Sequence, residues 1–339
     1  MDSHDWFPRI MCFADHQGDS MVYFGPHDQI EIEGYIEPQQ ALLRLCTGCN
    51  TAAEIINSLV ADHDRDLLIS LLQTLRDQKL VVDSRNCWES YHLYTCNPMP
   101  FVSNLTTEEA LQLVLENAGN ETGEVSEHLR DAKTSGSIAD ILSKRCFCRQ
   151  FTGEEISLEH LHHLVWCCYG RTTLLLDGLC RRTVPSAGGL YPLSIHVSLR
   201  VPCGSFDSGI YRIDSNSSTL VEVTGPALSG WTEFAECFLD DSYLHTCALC
   251  VAVSATFDRE TRKYSDRGYR YSILEAGHAA QNLLLACSEL GLGCVEVGGF
   301  SDEKLKHVLS LEDSAYPLTT VFVGKIDSHE LQNNEEETQ

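Results

Sequence analysis

The sequence predicts an α+β protein of two folded units, and three observations carry that prediction. At 339 residues the chain is long for one domain and comfortable for two. Short alternating apolar runs open the chain, whereas helix-period and strand-like runs mix throughout residues 140–326. Between the two regions, "NAGNETGEVSEHLRDAKTSGS" (117–137) is polar and bears Gly and Ser, as a connecting loop does. The chain therefore divides into a small unit over 1–86, a connection over 87–139, a larger unit over 140–326 and an acidic, apolar-poor tail over 327–339 that reads as disordered.

The small unit begins with "RIMCFA", "SMVYFG" and "QIEIEG", three runs separated by Gly, Asp and Pro that predict an antiparallel sheet. Three helical patterns follow. The first is "EPQQALLRLCTG"; the second, "NTAAEIINSLVADH", opens on Asn50 or Thr51 followed by Glu54, a capping signature. The third, "DRDLLISLLQTLRDQ", carries Leu67, Leu68, Leu71, Leu72 and Leu75 on one stripe, and "KLVVDSR" then reads as a returning strand. Strands, three helices and a strand make a winged-helix pattern. Its balance of six Lys/Arg against fourteen Asp/Glu opposes DNA and suits a peptide, added at a sheet edge or laid beside the helices. The stretch from "LLRLCTGC" to "QKLVVD" resembles the PqqD-like domain that recognises leader peptides of ribosomally made, modified peptides. A generic accessory or dimerisation domain is the alternative.

Composition narrows the function classes. A formal net charge of −25 argues against a nucleic-acid partner. No apolar run approaches the roughly 20 residues that span a bilayer, and the acidic N-terminus does not read as a signal peptide, so a cytoplasmic enzyme with no membrane partner is expected. The sixteen cysteines then read as reduced, mostly buried thiols. Cys46/Cys49 and Cys247/Cys250 form two C-x-x-C pairs, but the second lies in a strand-like run where residues three apart face opposite ways, so no metal site is expected. "EHLHHL" places His160 and His163 one helical turn apart, which an amphipathic surface helix explains.

The larger unit opens with "SKRCFCRQF", followed by "EISLEHLHHLVWCCYG", an amphipathic helix stopped at Gly170. Next comes Pro185-Ser186-Ala187-Gly188-Gly189-Leu190-Tyr191-Pro192, a glycine turn between two prolines that feeds the strand "LSIHVSL". Glycines let a flat ring or a phosphate approach the backbone, although a tight turn alone also explains them. "TRKYSDRGYRYSILEAGH" (261–278) packs charges and tyrosines into what reads as a solvent-facing loop before an apolar helix that ends near Gly291 and Gly293. That helix, with Ile273, Leu274, Ala276, Ala279, Leu283, Leu284 and Leu285, belongs in a core or a subunit interface. A short strand, Gly298-Gly299 and the strand "AYPLTTVFVGKI" complete the unit.

Arg145, Arg149 and Phe151, the run from Arg182 through "PSAGGLYP", and "YRYSILEAGHAAQNLLLA" from Tyr269 resemble the nitroreductase fold, and within it the SagB-type thiazole/oxazole dehydrogenases. "YHLYT" (91–95) resembles their entry segment. The resemblance implies a central sheet flanked by helices and FMN held at a homodimer interface. Arg145 and Arg149 match phosphate and ribityl contacts, Pro185, Ser186, Ala187, Gly188 and Gly189 the segment along the isoalloxazine, and Gly298 and Gly299 the loop near its redox edge. Phe147 stands where that family usually has a serine, so one hydroxyl contact is missing; Arg182 and Lys325 are the candidates to add phosphate charge.

The same resemblance assigns Lys263-Tyr264. Oxidising an azoline to an azole removes two electrons and two protons, with hydride passing to flavin N5 and a proton leaving the neighbouring ring carbon. A Lys-Tyr dipeptide ahead of "RGYRY" is associated with that proton removal in azole-forming members. A neighbouring ammonium stabilises a phenolate, and a desolvated lysine can itself be the base, so either residue fills the role. A YcaO-type cyclodehydratase would supply the azoline on a leader-bearing precursor peptide, and oxygen would reoxidise the flavin; a carrier-bound, nonribosomal azoline is the other source. The rival functions are an NAD(P)H-dependent flavin reductase acting on another small molecule and a catalytically silent peptide-binding scaffold.

Overall fold

The structure, a computed structural model, describes residues 6, 8–24, 29–84, 88, 92, 137–145, 147–174, 180–214, 219–223, 230–239 and 241–326. The segment "YHLYT" apart from His92, most of the 87–139 connection and the tail from 327 lie outside them. In chain order the described elements are strands β1 (Pro8–Ile10), β2 (Phe13–Gln17), β3 (Ser20–Phe24) and β4 (Gln29–Glu33), helices α1 (Ile36–Leu45), α2 (Ala52–Leu59) and α3 (Arg65–Asp77), and strand β5 (Val81–Asp83). Then come helices α4 (Ser137–Lys144) and α5 (Leu158–Tyr169), strands β6 (Arg171–Leu174), β7 (Cys180–Arg182), β8 (Leu193–Leu199), β9 (Gly209–Ile213) and β10 (Leu220–Glu222), and helices α6 (Trp231–Ala235) and α7 (Ser242–Thr246). Strand β11 (Leu249–Thr256), helices α8 (Asp258–Tyr264) and α9 (Asp266–Glu289), strand β12 (Gly293–Val297), helix α10 (Asp302–Val308) and strand β13 (Ala315–Gly324) follow.

Contacts divide the chain into two compact units, Met1–Cys96 with Phe257–Tyr271, and Asn97–Thr256 with Ser272–Gln339. In the first unit β2, β3 and β4 form an antiparallel meander, while β1 pairs with β5. The expected single run over "RIMCFA" is two strands, because β1 ends at Ile10 and β2 begins at Phe13. Helix α2 starts where its sequence says. Thr51 Oγ1 accepts from the Glu54 N–H, and the Glu54 carboxylate accepts from the Thr51 N–H at 2.8 Å. Thr51→Ala is expected to cost about 1 kcal/mol, measurable as a lower denaturant midpoint for the first unit. Leu68, Leu71, Leu72 and Leu75 of α3 are buried with Leu42, Ile55, Ile56 and Tyr23, whose hydroxyl donates to Gln39 Oε1 at 2.6 Å.

The segment 257–271, which the sequence placed in the larger unit as a loop, is neither a loop nor grouped there. It forms α8, then Ser265 at φ 52°, then the first turns of α9. It joins the first unit through aromatic packing: the Phe257 ring lies 5.1 Å from Trp88, 5.2 Å from His92 and 4.8 Å from Tyr269. The Trp88 N–H also donates to Asp266 Oδ1 at 3.2 Å.

The second unit is built on a six-stranded antiparallel sheet in the order β10-β9-β8-β11-β13-β12. Its central strand β11 is buried along nearly its whole length. Phe234, Phe238, Tyr243, Phe300 and Phe322 form much of one core cluster, with Phe322 at 4.6 Å from Tyr243 and 5.1 Å from Phe238. The apolar helix expected from "SILEAGHAAQNLLLACSELG" is α9, with Ala276, Ala279, Ala280, Leu283 and Leu284 buried but Ile273 and Leu274 exposed. Cys247 precedes β11 rather than lying in it, because α7 runs to Thr246 and the Cys247 N–H closes its last turn on Tyr243 O. Burial pushes the Cys247 thiol up to about 12 and the Cys250 thiol well above its ordinary value. Among the described residues no cysteine is disulfide-bonded and no three His, Cys, Asp or Glu are placed to hold a metal. No described helix is long and apolar enough to cross a membrane.

Candidate active site

The segment carrying Arg145, Phe147 and Arg149 runs beside the ends of two strands of the second unit. The Cys148 N–H donates to Cys294 O at the start of β12, and the Thr152 N–H donates to Lys325 O just past β13. Close packing enforces this path: a Cβ on Gly324 would stand 2.9 Å from the Phe151 ring. The Arg145 guanidinium lies 4.8 Å from the exposed Phe147 ring. A hydrogen bond from Cys287 holds the Cys294 thiol below its ordinary value against burial, and the Arg145 charge adds to it. Arg149 is largely exposed, with one long contact of 3.8 Å to Asp241. Lys325 Nζ contacts Glu154 at 3.0 Å. Arg145, Phe147, Arg149 and Lys325 thus gather at one end of the sheet.

Pro185 to Gly189 lie at the other end, ahead of β8, whose first residue pairs with Ala255 near the end of β11. Gly188 at φ 62° and Gly189 at φ 68° take the left-handed backbone that the turn requires. Ser186 Oγ accepts from the Tyr191 N–H at 2.9 Å, closing the turn on itself. Gly298 and Gly299 follow β12, whose last residue pairs with Thr320, so they leave the sheet toward this same end. Open space surrounds the Cβ positions of Gly189 and Gly298.

Arg182, expected near a phosphate, is turned inward. Its Nη1 donates to Tyr169 O at 2.9 Å, and its guanidinium lies 4.5 Å from the Tyr169 ring and 5.3 Å from the Tyr191 ring. Its Nε is buried and has no hydrogen-bond partner among the described residues. Beside it is a cavity of about 600 Å³ with mainly apolar walls, lined among others by Trp166, Tyr169, Arg182, Phe206 and Leu220. Tyr169 and Glu275 went unnoticed in the sequence. The Tyr169 hydroxyl donates to Glu275 Oε1 at 2.6 Å in a buried contact and accepts from the Leu193 N–H at 3.3 Å. Burial, the Glu275 charge and that hydrogen bond together raise the phenol above the ordinary tyrosine range, so it stays a donor. The one signal was an acid, Glu275, inside an apolar helical run.

Lys263 and Tyr264 occupy the last turn of α8, in the first unit. Lys263 is exposed, with Nζ 5.3 Å from the centroid of the Tyr264 ring. The Tyr271 ring meets Tyr264 edge-on at 5.3 Å. The Lys263 ammonium therefore lies within cation–π reach of the Tyr264 ring. His163 binds Glu289 at 2.9 Å, the surface contact that its helix position suggests.

Each end of the second unit's sheet offers one part of what a flat anionic cofactor needs, and a single chain does not bring the parts together: open space at the Cβ positions of Gly189 and Gly298 at one end, and the guanidinium groups of Arg145 and Arg149 at the other.

Residues 142–325 match the nitroreductase family. A putative nitroreductase of Methanocaldococcus jannaschii is 34% identical over 188 residues, 56% of this chain and 90% of the relative. The microcin B17-processing protein McbC of Escherichia coli is 25% identical over 161 residues, 44% of this chain and 56% of its own length. A chain of the E. coli microcin synthetase McbBCD complex with truncated pro-MccB17 bound superposes with a TM-score of 0.52 at 18% identity, over 80% of this chain and 98% of that chain, a likeness of fold. The match spans more than half of this chain and carries the sheet, the glycine turn and the arginine segment with it: the protein belongs to the nitroreductase family of oxidoreductases.

Proposed function

We propose that this protein is an FMN-dependent dehydrogenase that oxidises thiazoline or oxazoline rings of a peptide to thiazole or oxazole. The observation that carries this reading is the Lys263 ammonium standing over the Tyr264 ring, separated by two residues from the "RGYRY" run, in a chain related to a microcin-processing protein. Bound FMN would supply the two-electron acceptor. Arg145 and Arg149 would hold its phosphate, with Lys325 beside them, and Pro185 to Gly189 would lie along its ring. Lys263 Nζ or Tyr264 Oη would take the proton that leaves the azoline carbon, and the partner residue would stabilise the resulting charge.

Two further features support the wider reading. The arginine segment and the glycine turn sit at opposite ends of the sheet, and Ile273 and Leu274 of α9 are exposed at 42% and 55%, which favours a site completed by a second copy. In the first unit β4 is an edge strand with Glu31 and Glu33 exposed, a place for a leader segment to add as a further strand. A YcaO-type cyclodehydratase upstream would make the azoline, as the fold likeness to a chain of a peptide-modifying complex suggests.

The test is incubation of the flavin-loaded protein with an azoline peptide. The expected result is loss of two hydrogens' mass per ring in air. No mass loss, with NAD(P)H consumed against nitroaromatics or quinones, would replace this reading with the reductase one that the M. jannaschii relative's name favours. A colourless protein that FMN cannot reconstitute would leave only the peptide scaffold.

A further inference from the structure

We infer that Tyr169, Arg182 and Glu275 form a clasp that presets the Pro185–Gly189 turn, so that Arg182 is a positioning residue and not a phosphate ligand. The clasp closes on both sides of the turn. Before it, the Arg182 backbone N–H donates to the Tyr191 hydroxyl at 3.2 Å, while its Nη1 donates to the Tyr169 carbonyl. After it, the Leu193 N–H donates to the Tyr169 hydroxyl. The same hydroxyl is fixed from behind by Glu275 of α9. Tyr169 and Tyr191 meet edge-on at 6.2 Å, and the Arg182 guanidinium lies against both rings. Asn282 of α9 adds a further tie, donating to Cys167 O and Thr183 O, each at 3.2 Å.

This arrangement answers a mechanical problem. The turn has two consecutive glycines in left-handed backbone and a third left-handed residue, Tyr191 at φ 48°. Such a segment loses much chain entropy when ordered and holds Tyr191 in a backbone region that non-glycine residues rarely adopt. Its own internal bonds are Tyr191 N–H to Ser186 Oγ, Gly189 N–H to Ser186 O and a long one of 3.4 Å from Leu190 N–H to Ala187 O. The clasp supplies the remaining order from α5 and α9, two helices that also carry buried core residues. Because the Tyr169 phenol is buried and held protonated, its donor and acceptor roles are both fixed. The turn then meets a flat ligand already shaped, which lowers the ordering cost of binding.

The flavin part of this inference rests on the proposed function; the clasp itself does not. The test uses the full chain, with FMN removed and with FMN restored. In the flavin-free protein, Tyr169→Phe keeps the ring and removes the hydroxyl. Backbone amides of residues 189–191 and 193 are expected to exchange about tenfold faster, with β11 amides unchanged. With FMN restored, the same variant should bind the cofactor several-fold more weakly than the parent does. Glu275→Gln retains an acceptor for Tyr169 and should behave like the parent, whereas Glu275→Leu should match Tyr169→Phe. Arg182→Ala should speed the same amides, which a residue serving only a phosphate would not do without flavin. Unchanged exchange in Tyr169→Phe, or Glu275→Gln as harmful as Glu275→Leu, would overturn the clasp. If the parent bound no FMN at all, the functional reading would fall while the exchange comparison still decided this one.

Discussion

Replacing Lys263 with alanine is expected to slow azoline oxidation by about 10²–10⁴-fold, the span that a positioned acid–base group contributes. The flavin should remain bound, because Arg145, Arg149 and the glycine turn belong to the second unit whereas Lys263 groups with the first. Tyr264→Phe separates the two possible roles. It keeps the ring face that lies 5.3 Å from Lys263 Nζ and removes the phenol. If Lys263 is the base, the phenylalanine variant should lose less than the alanine variant; if the phenol is the base, it should lose as much. Arg267→Ala is the control for general charge, since Arg267 is exposed in the same run and should change the rate by no more than about twofold. The measurement is the initial rate of ring oxidation by mass spectrometry, with flavin content read from its visible absorption. Full activity in both Lys263→Ala and Tyr264→Phe would reduce the pair to a surface feature.

Gly268→Ala should produce the largest loss of stability for the smallest change in mass. A Cβ there would stand 2.6 Å from the Thr261 nitrogen and 2.7 Å from the Glu260 carbonyl oxygen, both backbone atoms of α8. Neither can yield by turning a side chain, so α8 and the first turn of α9 must separate. Overpacking of this kind costs about 1–3 kcal/mol and sometimes more, and each kcal/mol lowers the midpoint of a unit the size of the first by roughly 4 °C. Ring oxidation should fall as well, because α8 carries Lys263 and Tyr264 at its far end. A midpoint and a rate both equal to the parent's would show that the two helices do not pack through Gly268.

Much of the fold could be read from the sequence wherever local chemistry and burial agree. The Thr51/Glu54 cap, the α3 leucine stripe and the strand that follows the glycine turn are of this kind. Helix α8 was hidden because its signals are weak. Phe257 at its N-cap makes no side-chain cap bond, and its seven residues carry no apolar stripe, so charge made it look like a loop. Arg182 illustrates the opposite limit. An arginine beside a glycine turn in an acidic chain suggests an anion, but the rings that hold it inward come from Tyr169 and Tyr191, and only the fold brings Tyr169 there. Glu275 and Tyr169 are separated in the chain by most of the sheet, so nothing local announces their bond.

The burial of β11 has a consequence for alignment. "LCVAVSAT" is apolar on both faces of the sheet, so sliding it by one residue would exchange one buried apolar set for another. The strand's own hydrophobicity therefore cannot choose its partners. Two irregular points can: the break in pairing with β13 between Val253 and Ser254, and the bond from Ser254 Oγ to Ser194 O at 3.2 Å. Ser194 lies at the start of β8, just after the glycine turn. The hydroxyl that keys the middle of the sheet thus also sets where that turn emerges, and a slip in this buried strand would displace the candidate cofactor site.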